Sequence, residues 1–123
     1  MTLGRIRIGL SSWADQGLID SGKFYPPDAT SAEERLRFYA SQFPDLVEVN
    51  STYYGMPAER NAVLWAERTP AGFIFDVKIF SLFTHHPAPV RGLPKDLQGM
   101  LDEESRKKRN VYARDVPSAI LEE

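Results

Sequence analysis

Glu48 stands in Leu46-Val47-Glu48-Val49-Asn50, where Val47 and Val49 share one face while Leu46, Glu48 and Asn50 share the other. This is the alternation of a β-strand. An ionised carboxylate in mid-strand is costly to bury unless it meets a cation, a metal or several hydrogen-bond donors. Further on, Phe73-Ile74-Phe75-Asp76-Val77-Lys78-Ile79-Phe80 alternates in the same way and puts Lys78 on its polar face with Asp76. A carboxylate and an ammonium on one face of neighbouring strands move each other's pKa and can perform acid–base chemistry. The same two charges can also serve only as an ion pair between strands. Glu48 and Lys78 are therefore the candidate catalytic residues, with Asn50 orienting a substrate or fixing Glu48.

The candidate ligand-binding residues cluster around those strand ends: Ser11, Trp13, Asn50, Thr52, Tyr53 and His85. Gly9, Ser11 and Ser12 leave room above the end of a first strand, and the loop that begins there carries Trp13. Trp13, Tyr25, Tyr53 and Tyr54 can form an aromatic wall for a sugar or base, or simply pack their own loops. His85, in Thr84-His85-His86-Pro87, can carry a proton or donate to a phosphate near neutral pH. His85 and His86, joined to Glu48 or Asp76, have the donor chemistry of a zinc or manganese site, through His85 if at all. Adjacent histidines seldom point at the same ion, and no metal is assigned. Arg106-Lys107-Lys108-Arg109 can touch phosphates, but it follows Asp102-Glu103-Glu104 and reads better as a solvated helix with charge pairs one turn apart.

The elements that must position these residues follow from periodicity and turn chemistry. Arg5 to Ser11 alternates as a first strand, with Ile6, Ile8 and Leu10 on its apolar face. Ser31 with Glu34 forms a capping-box pattern before Leu36, Tyr39, Ala40 and Phe43, which predicts a helix from Ser31 to Gln42. Pro57 opens a second helix with the stripe Ala58, Ala62, Trp65 and Ala66. After Phe80 come a proline-rich segment, a partly helical stretch from Lys95 to Lys108, an extended or loop segment from Val111 to Pro117, and the start of another helix from Ser118 to Glu123.

Strand, helix, strand, helix, strand implies parallel strands and right-handed crossovers, an α/β fold. Strands covered on both sides are usually apolar on both faces. Here the second face holds Arg7, Glu48, Asp76 and Lys78, which fits the interior and rim of a (β/α)₈ barrel, with Asp76 deeper and paired to Arg7. A whole barrel takes eight such units and about 250 residues. This chain supplies roughly three of them, so either it is truncated, or the remaining strands come from another chain, or the fold is not a barrel. A single domain over residues 1–123 is expected, not catalytically competent alone and inclined to self-associate through its open sheet.

Composition excludes more than it names. With no cysteine among 123 residues, disulfides, thiolate metal sites and cysteine nucleophiles are ruled out. A hydrophobic share of 42% and a charged share of 26% are those of a globular chain. No apolar run reaches the length of a membrane span and no secretory pattern opens the sequence, so a cytoplasmic location without membrane partners is expected. A net charge of −2 gives no global attraction to nucleic acid. Glycine-rich phosphate loops, serine nucleophile elbows and zinc-protease patterns are missing from the sequence, which names no cofactor.

The runs Ile6-Arg7-Ile8-Gly9-Leu10-Ser11-Ser12-Trp13, Phe24-Tyr25-Pro26-Pro27, Val47-Glu48-Val49-Asn50-Ser51-Thr52-Tyr53-Tyr54, Trp65 to Phe73, and Val77-Lys78 before Thr84-His85 together resemble the YecE-like family, domain of unknown function 72. Leu93-Pro94 and Val111-Tyr112 extend the likeness into the tail. The resemblance implies a TIM-barrel-like fold of which this chain is an N-terminal portion, and it implies no established activity. Ser12-Trp13-Ala14-Asp15 and Ile79-Phe80 depart from the family's usual runs, so the loops after the first and third strands are expected to differ in shape. The function this reading favours is a barrel-mouth site for a small polar or phosphorylated ligand, enzymatic in the full barrel. The alternatives are nucleic-acid or phosphodiester binding, and an inactive fragment or interaction module.

Overall fold

Helical and extended stretches alternate along the chain in the computed structural model, which describes residues 4–122. In order they are α1 (Gln16–Asp20), α2 (Ala32–Gln42), β1 (Leu46–Val49), α3 (Ser51–Tyr54), α4 (Glu59–Glu67), β2 (Ile74–Val77), β3 (Ala88–Pro89), α5 (Lys95–Met100), α6 (Glu103–Lys107), β4 (Asn110–Val111) and α7 (Ser118–Glu122), with short 3₁₀ turns between them. They divide into two units. One takes in the residues up to Val49 together with Ala58–Val77; the other takes in Asn50–Pro57 and the residues from Lys78 onward. The protein is a mixed α/β chain with a small parallel sheet.

In the first unit β1 and β2 pair in parallel, with Leu46 opposite Ile74, Val47 opposite Phe75, Glu48 opposite Asp76 and Val49 opposite Val77. The alternation read from sequence dictates what this pairing buries. Val47 and Val49 are buried with Tyr39, and Leu10, Trp13, Phe24, Phe43, Trp65, Phe73 and Phe75 pack against them. Helix α2 supplies Leu36, Tyr39 and Ala40 to the interior. It begins as its sequence requires: the Ser31 hydroxyl accepts the Glu34 N–H at 3.1 Å, and a Glu34 carboxylate oxygen accepts the Ser31 N–H at 2.8 Å. The Ser31 N–H first, then the Ser31 hydroxyl and the Thr30 N–H, hold the Glu34 carboxyl below its ordinary pKa.

The expected first strand is largely absent. Arg5 to Ser11 contributes one parallel bridge, Ser11 opposite Glu48, and Ile6 and Ile8 are 86% and 68% exposed. The cause is a side chain standing in the ladder. Continued parallel pairing would send the Leu10 N–H to the Leu46 carbonyl. Instead the Tyr39 hydroxyl lies between them, accepting from Leu10 N–H at 2.6 Å and donating to Leu46 O at 3.0 Å. Gly9 passes so close that a Cβ there would lie 2.2 Å from the Leu46 carbonyl oxygen. Beyond the bridge at Ser11, the segment is joined to Leu46 through this phenol.

Other expectations shift for similarly local reasons. Helix α4 starts at Glu59 after an Ala58 cap, so Pro57 precedes the helix rather than opening it. Ala58, Ala62 and Ala66 are exposed, and Trp65 carries the inward face. The third strand stops at Val77, and the Lys78 carbonyl that follows accepts from the Thr52 hydroxyl at 2.6 Å within the other unit. Val77 and Ile79 are consequently exposed while Phe80 is buried in the second core. The N-terminal ion pair joins Arg5 to Asp45 at 2.7 Å, in place of the expected Arg7–Asp76.

The second unit has its own core of Phe80, Leu82, Ala88, Val90, Leu93, Leu101, Val111 and Val116. Strands β3 and β4 pair antiparallel, Ala88 opposite Val111 and Pro89 opposite Asn110, and the Val90 N–H extends the ladder to Arg109 O at 3.1 Å. The polar stretch after Pro94 forms two short helices, α5 and α6, the second capped by Asp102 through the Ser105 N–H at 2.6 Å. Gly92 lets α3 approach: a Cβ on it would stand 2.5 Å from the Tyr54 carbonyl oxygen. The helix expected from Ser118 to Glu123 is seen as α7, Glu123 lying outside the described residues.

Candidate functional site

The polar face of the first unit is organised by strand register. Ser11 is opposite Glu48, and Glu48 is opposite Asp76, so one row across the sheet reads Ser11, Glu48, Asp76. The Ser11 hydroxyl donates to Glu48 Oε1 at 3.2 Å, and the backbone grips the same residue twice: Glu48 N–H to Leu10 O at 3.1 Å, and Ser12 N–H to Glu48 O at 2.9 Å. Ser12 then takes a left-handed conformation, φ +80°, which few non-glycine residues adopt. The chain reverses there and sends Trp13 into the core, edge-on to Trp65 at 5.5 Å and to Phe75 at 6.3 Å between ring centroids. The Tyr25 hydroxyl donates to the Trp13 carbonyl, and burial pushes that phenol up to about 12.

The second unit holds the other candidates. Asn50 is the half-buried N-cap of α3. Thr52, 3% exposed, donates its hydroxyl to the Lys78 carbonyl at 2.6 Å and so fixes the backbone from which the lysine springs. The Lys78 ammonium stands over the Tyr53 ring, 5.3 Å from its centroid. The same ring meets the His86 imidazole at 6.0 Å and the Tyr54 ring edge-on at 5.1 Å. Sequence separation here is large. Residues from α3, the segment after β2 and the turn before β3 converge because α3 packs with the later part of the chain.

His86, weighed from sequence only beside His85 as a metal ligand, is the histidine brought to Tyr53. Its Nδ1 lies 2.9 Å from the Thr84 hydroxyl, which itself lies 3.1 Å from the Ser81 carbonyl as a donor. A hydroxyl has one proton to give. Which partner donates in the His86–Thr84 contact depends on the ring nitrogen that carries the proton. Thr84 at two residues before His86 was the available signal. His85 instead adopts φ +60° at the end of a 3₁₀ turn and borders an exposed hollow of about 150 Å³ with Tyr112, Ala113 and Arg114.

Glu48 belongs to the first unit and Lys78 to the second. Among the described residues no group of three or more His, Asp or Glu side chains is placed to hold a metal ion. Also among them, no helix is long and apolar enough to cross a membrane.

Comparisons with known proteins agree with the motif reading. The family described as "Protein of unknown function DUF72" matches residues 7–114. The UPF0759 protein YunF of Bacillus subtilis (strain 168) is 37% identical over 81 residues, which make up 66% of this chain and 26% of that protein. The chain therefore aligns with about a quarter of this relative's length. No solved structure matches the chain.

Proposed function

We infer that this chain, which belongs to the DUF72 family of proteins of unknown function, binds a small polar ligand bearing a phosphate through Lys78, Tyr53 and His86. The observation that carries the reading is the convergence of an ammonium and an imidazole on one tyrosine ring, at 5.3 Å and 6.0 Å from its centroid. A lysine over an aromatic face at an exposed site is held by about 0.5–1 kcal/mol. That is enough to pre-position the charge and too little to neutralise it. Lys78 thus offers a point charge to a phosphate oxygen, His86 a neighbouring proton donor or acceptor, and Tyr53 an apolar plane for the body of the ligand.

The reading extends to the fold. Segment Leu10–Ser12, β1 and β2 are neighbours in chain order and parallel, which is the order of strands in a barrel wall. The row Ser11, Glu48, Asp76 would then be one polar layer of its interior, with Glu48 as a proton acceptor in a longer protein. The test of binding uses glycerol 3-phosphate as probe. Saturable shifts of the Tyr53 ring and His86 Hε1 resonances are expected, weakened about tenfold in Lys78→Gln, as befits loss of a charged hydrogen bond. Unmoved Tyr53 and His86 signals up to tens of millimolar probe would refute it.

A further inference from the structure

We propose that a second hollow of this unit, distinct from the Lys78 group in its residues, is a phosphomonoester site built on Arg91 and Arg109. The hollow measures about 410 Å³ and is lined by Pro89, Val90, Arg91, Gln98, Lys108, Arg109 and Asn110. That volume is of the order of small-molecule sites. Its lining contains three cations and two amides and not one carboxylate. Lys108 is already occupied, its Nζ lying 3.2 Å from Asp115 Oδ1. Arg91 and Arg109 make no ion pair among the described residues. Two guanidiniums bordering one hollow repel each other, and an anion between them removes that cost.

The frame that holds them is ordered by backbone bonds rather than by the arginines themselves. Pro89 pairs with Asn110, and the Val90 N–H donates to the Arg109 carbonyl at 3.1 Å, so the bases of Arg91 and Arg109 are fixed across an antiparallel ladder. Buried Val90 and half-buried Pro89 supply an apolar floor. Gln98 is anchored by its Nε2 donating to the Leu93 carbonyl at 2.7 Å, which leaves its other N–H and its Oε1 for a ligand. Arginine forks match phosphate oxygens in pairs, and an amide beside them suits the ester oxygen or a neighbouring hydroxyl. The basic run 106–109 is thereby divided by the structure. Arg106 donates to the Gly99 and Leu101 carbonyls and Lys107 pairs with Glu103, while Lys108, paired with Asp115, and Arg109 border the hollow.

The experiment follows the arginine Nε–H resonances by NMR on titration with inorganic phosphate and with phenyl phosphate at low salt. Saturable shifts at Arg91 and Arg109 are expected, with phenyl phosphate binding tighter than phosphate because the ring meets Val90 and Pro89. Arg91→Gln and Arg109→Gln should each weaken binding about tenfold, and Lys78→Gln should leave it unchanged. Each variant's amide spectrum checks that the fold persists. Arginine signals that do not move, or binding unaltered in the double variant, overturn the proposal. So does a single-stranded oligonucleotide that binds at these residues more tightly than phenyl phosphate, because the surface would then be a phosphodiester tract. Loss of binding in Lys78→Gln also overturns it. Shifts at Tyr53 and His86 that survive in the double variant would separate the two sites.

Discussion

Replacing Tyr39 by Phe removes one oxygen atom from the middle of the first unit. That oxygen is buried, Tyr39 being 0% exposed, and it closes two bonds: Leu10 N–H at 2.6 Å and Leu46 O at 3.0 Å. A net hydrogen bond contributes about 0.5–1.5 kcal/mol, and a backbone group left unpaired costs about 1–3 kcal/mol. Leu10 and Leu46 are only partly buried, so some water reaches them and the lower figures apply. The expected loss is about 2–3 kcal/mol. In urea, with a slope of about 1–3 kcal/mol per molar, the midpoint should fall by about 1–2 M at unchanged slope. Hydrogen exchange supplies the local readout. The Leu10 amide should lose its protection, and Ser11 should drift from Glu48 because only the short bridge remains to hold it. The phenylalanine ring fills the same space, so the two backbone groups cannot simply close on each other. A midpoint within about 0.3 M of the parent, or a Leu10 amide that stays protected, would show that the ladder closes without the phenol and would refute the reasoning.

Two further outcomes rest on the same region. Gly9→Ala should destabilise by about 1–3 kcal/mol, as overpacking does, since the new methyl would lie 2.2 Å from the Leu46 carbonyl oxygen, a backbone atom that cannot swing away; a urea midpoint equal to the parent's would contradict this. Alkaline stability should be governed by buried phenols. Tyr25 is raised from 10.0 to about 12, by burial first and then by Tyr39, with Arg35 opposing, and burial raises Tyr39 as well. The folded state holds these protons more tightly than the unfolded one, so their contribution is complete below pH 10 and is lost as pH climbs from 10 to about 12. A phenolate absorbance titration should show tyrosines ionising late, together with unfolding, and Tyr25→Phe should flatten the alkaline limb. Ionisation of all five tyrosines in one step near pH 10 before any unfolding would count against it.

Family, class and the central strand were legible in the residues themselves. Period-two alternation around Val47 and Val49 fixes which faces are buried, because a one-residue slip would expose them both. Ser31 and Glu34 specify the start of α2 by bonds that span three residues, and motif spacing carries the family. The placement of His86 was not legible: it meets the ring of Tyr53, far away in sequence. The same holds for Arg109, which shares its run with Arg106 and Lys107 but not their partners.

What the sequence determined alone was therefore everything encoded within a few residues: alternation, caps, turns and the parallel order that crossover length imposes. Tertiary structure decided where that alternation failed to become a strand. Ile6, Ile8 and Leu10 have the pattern, but a strand exists only where a partner offers its backbone groups, and at Leu46 the partner's carbonyl is taken by Tyr39. Tertiary structure likewise decided that the third strand ends at Val77 and that Lys78 stands over the Tyr53 ring, which also meets His86. Hydrogen bonds and ring contacts between distant residues are competitive: each donor, acceptor or face has one best occupant, and that occupant emerges only when the chain is folded.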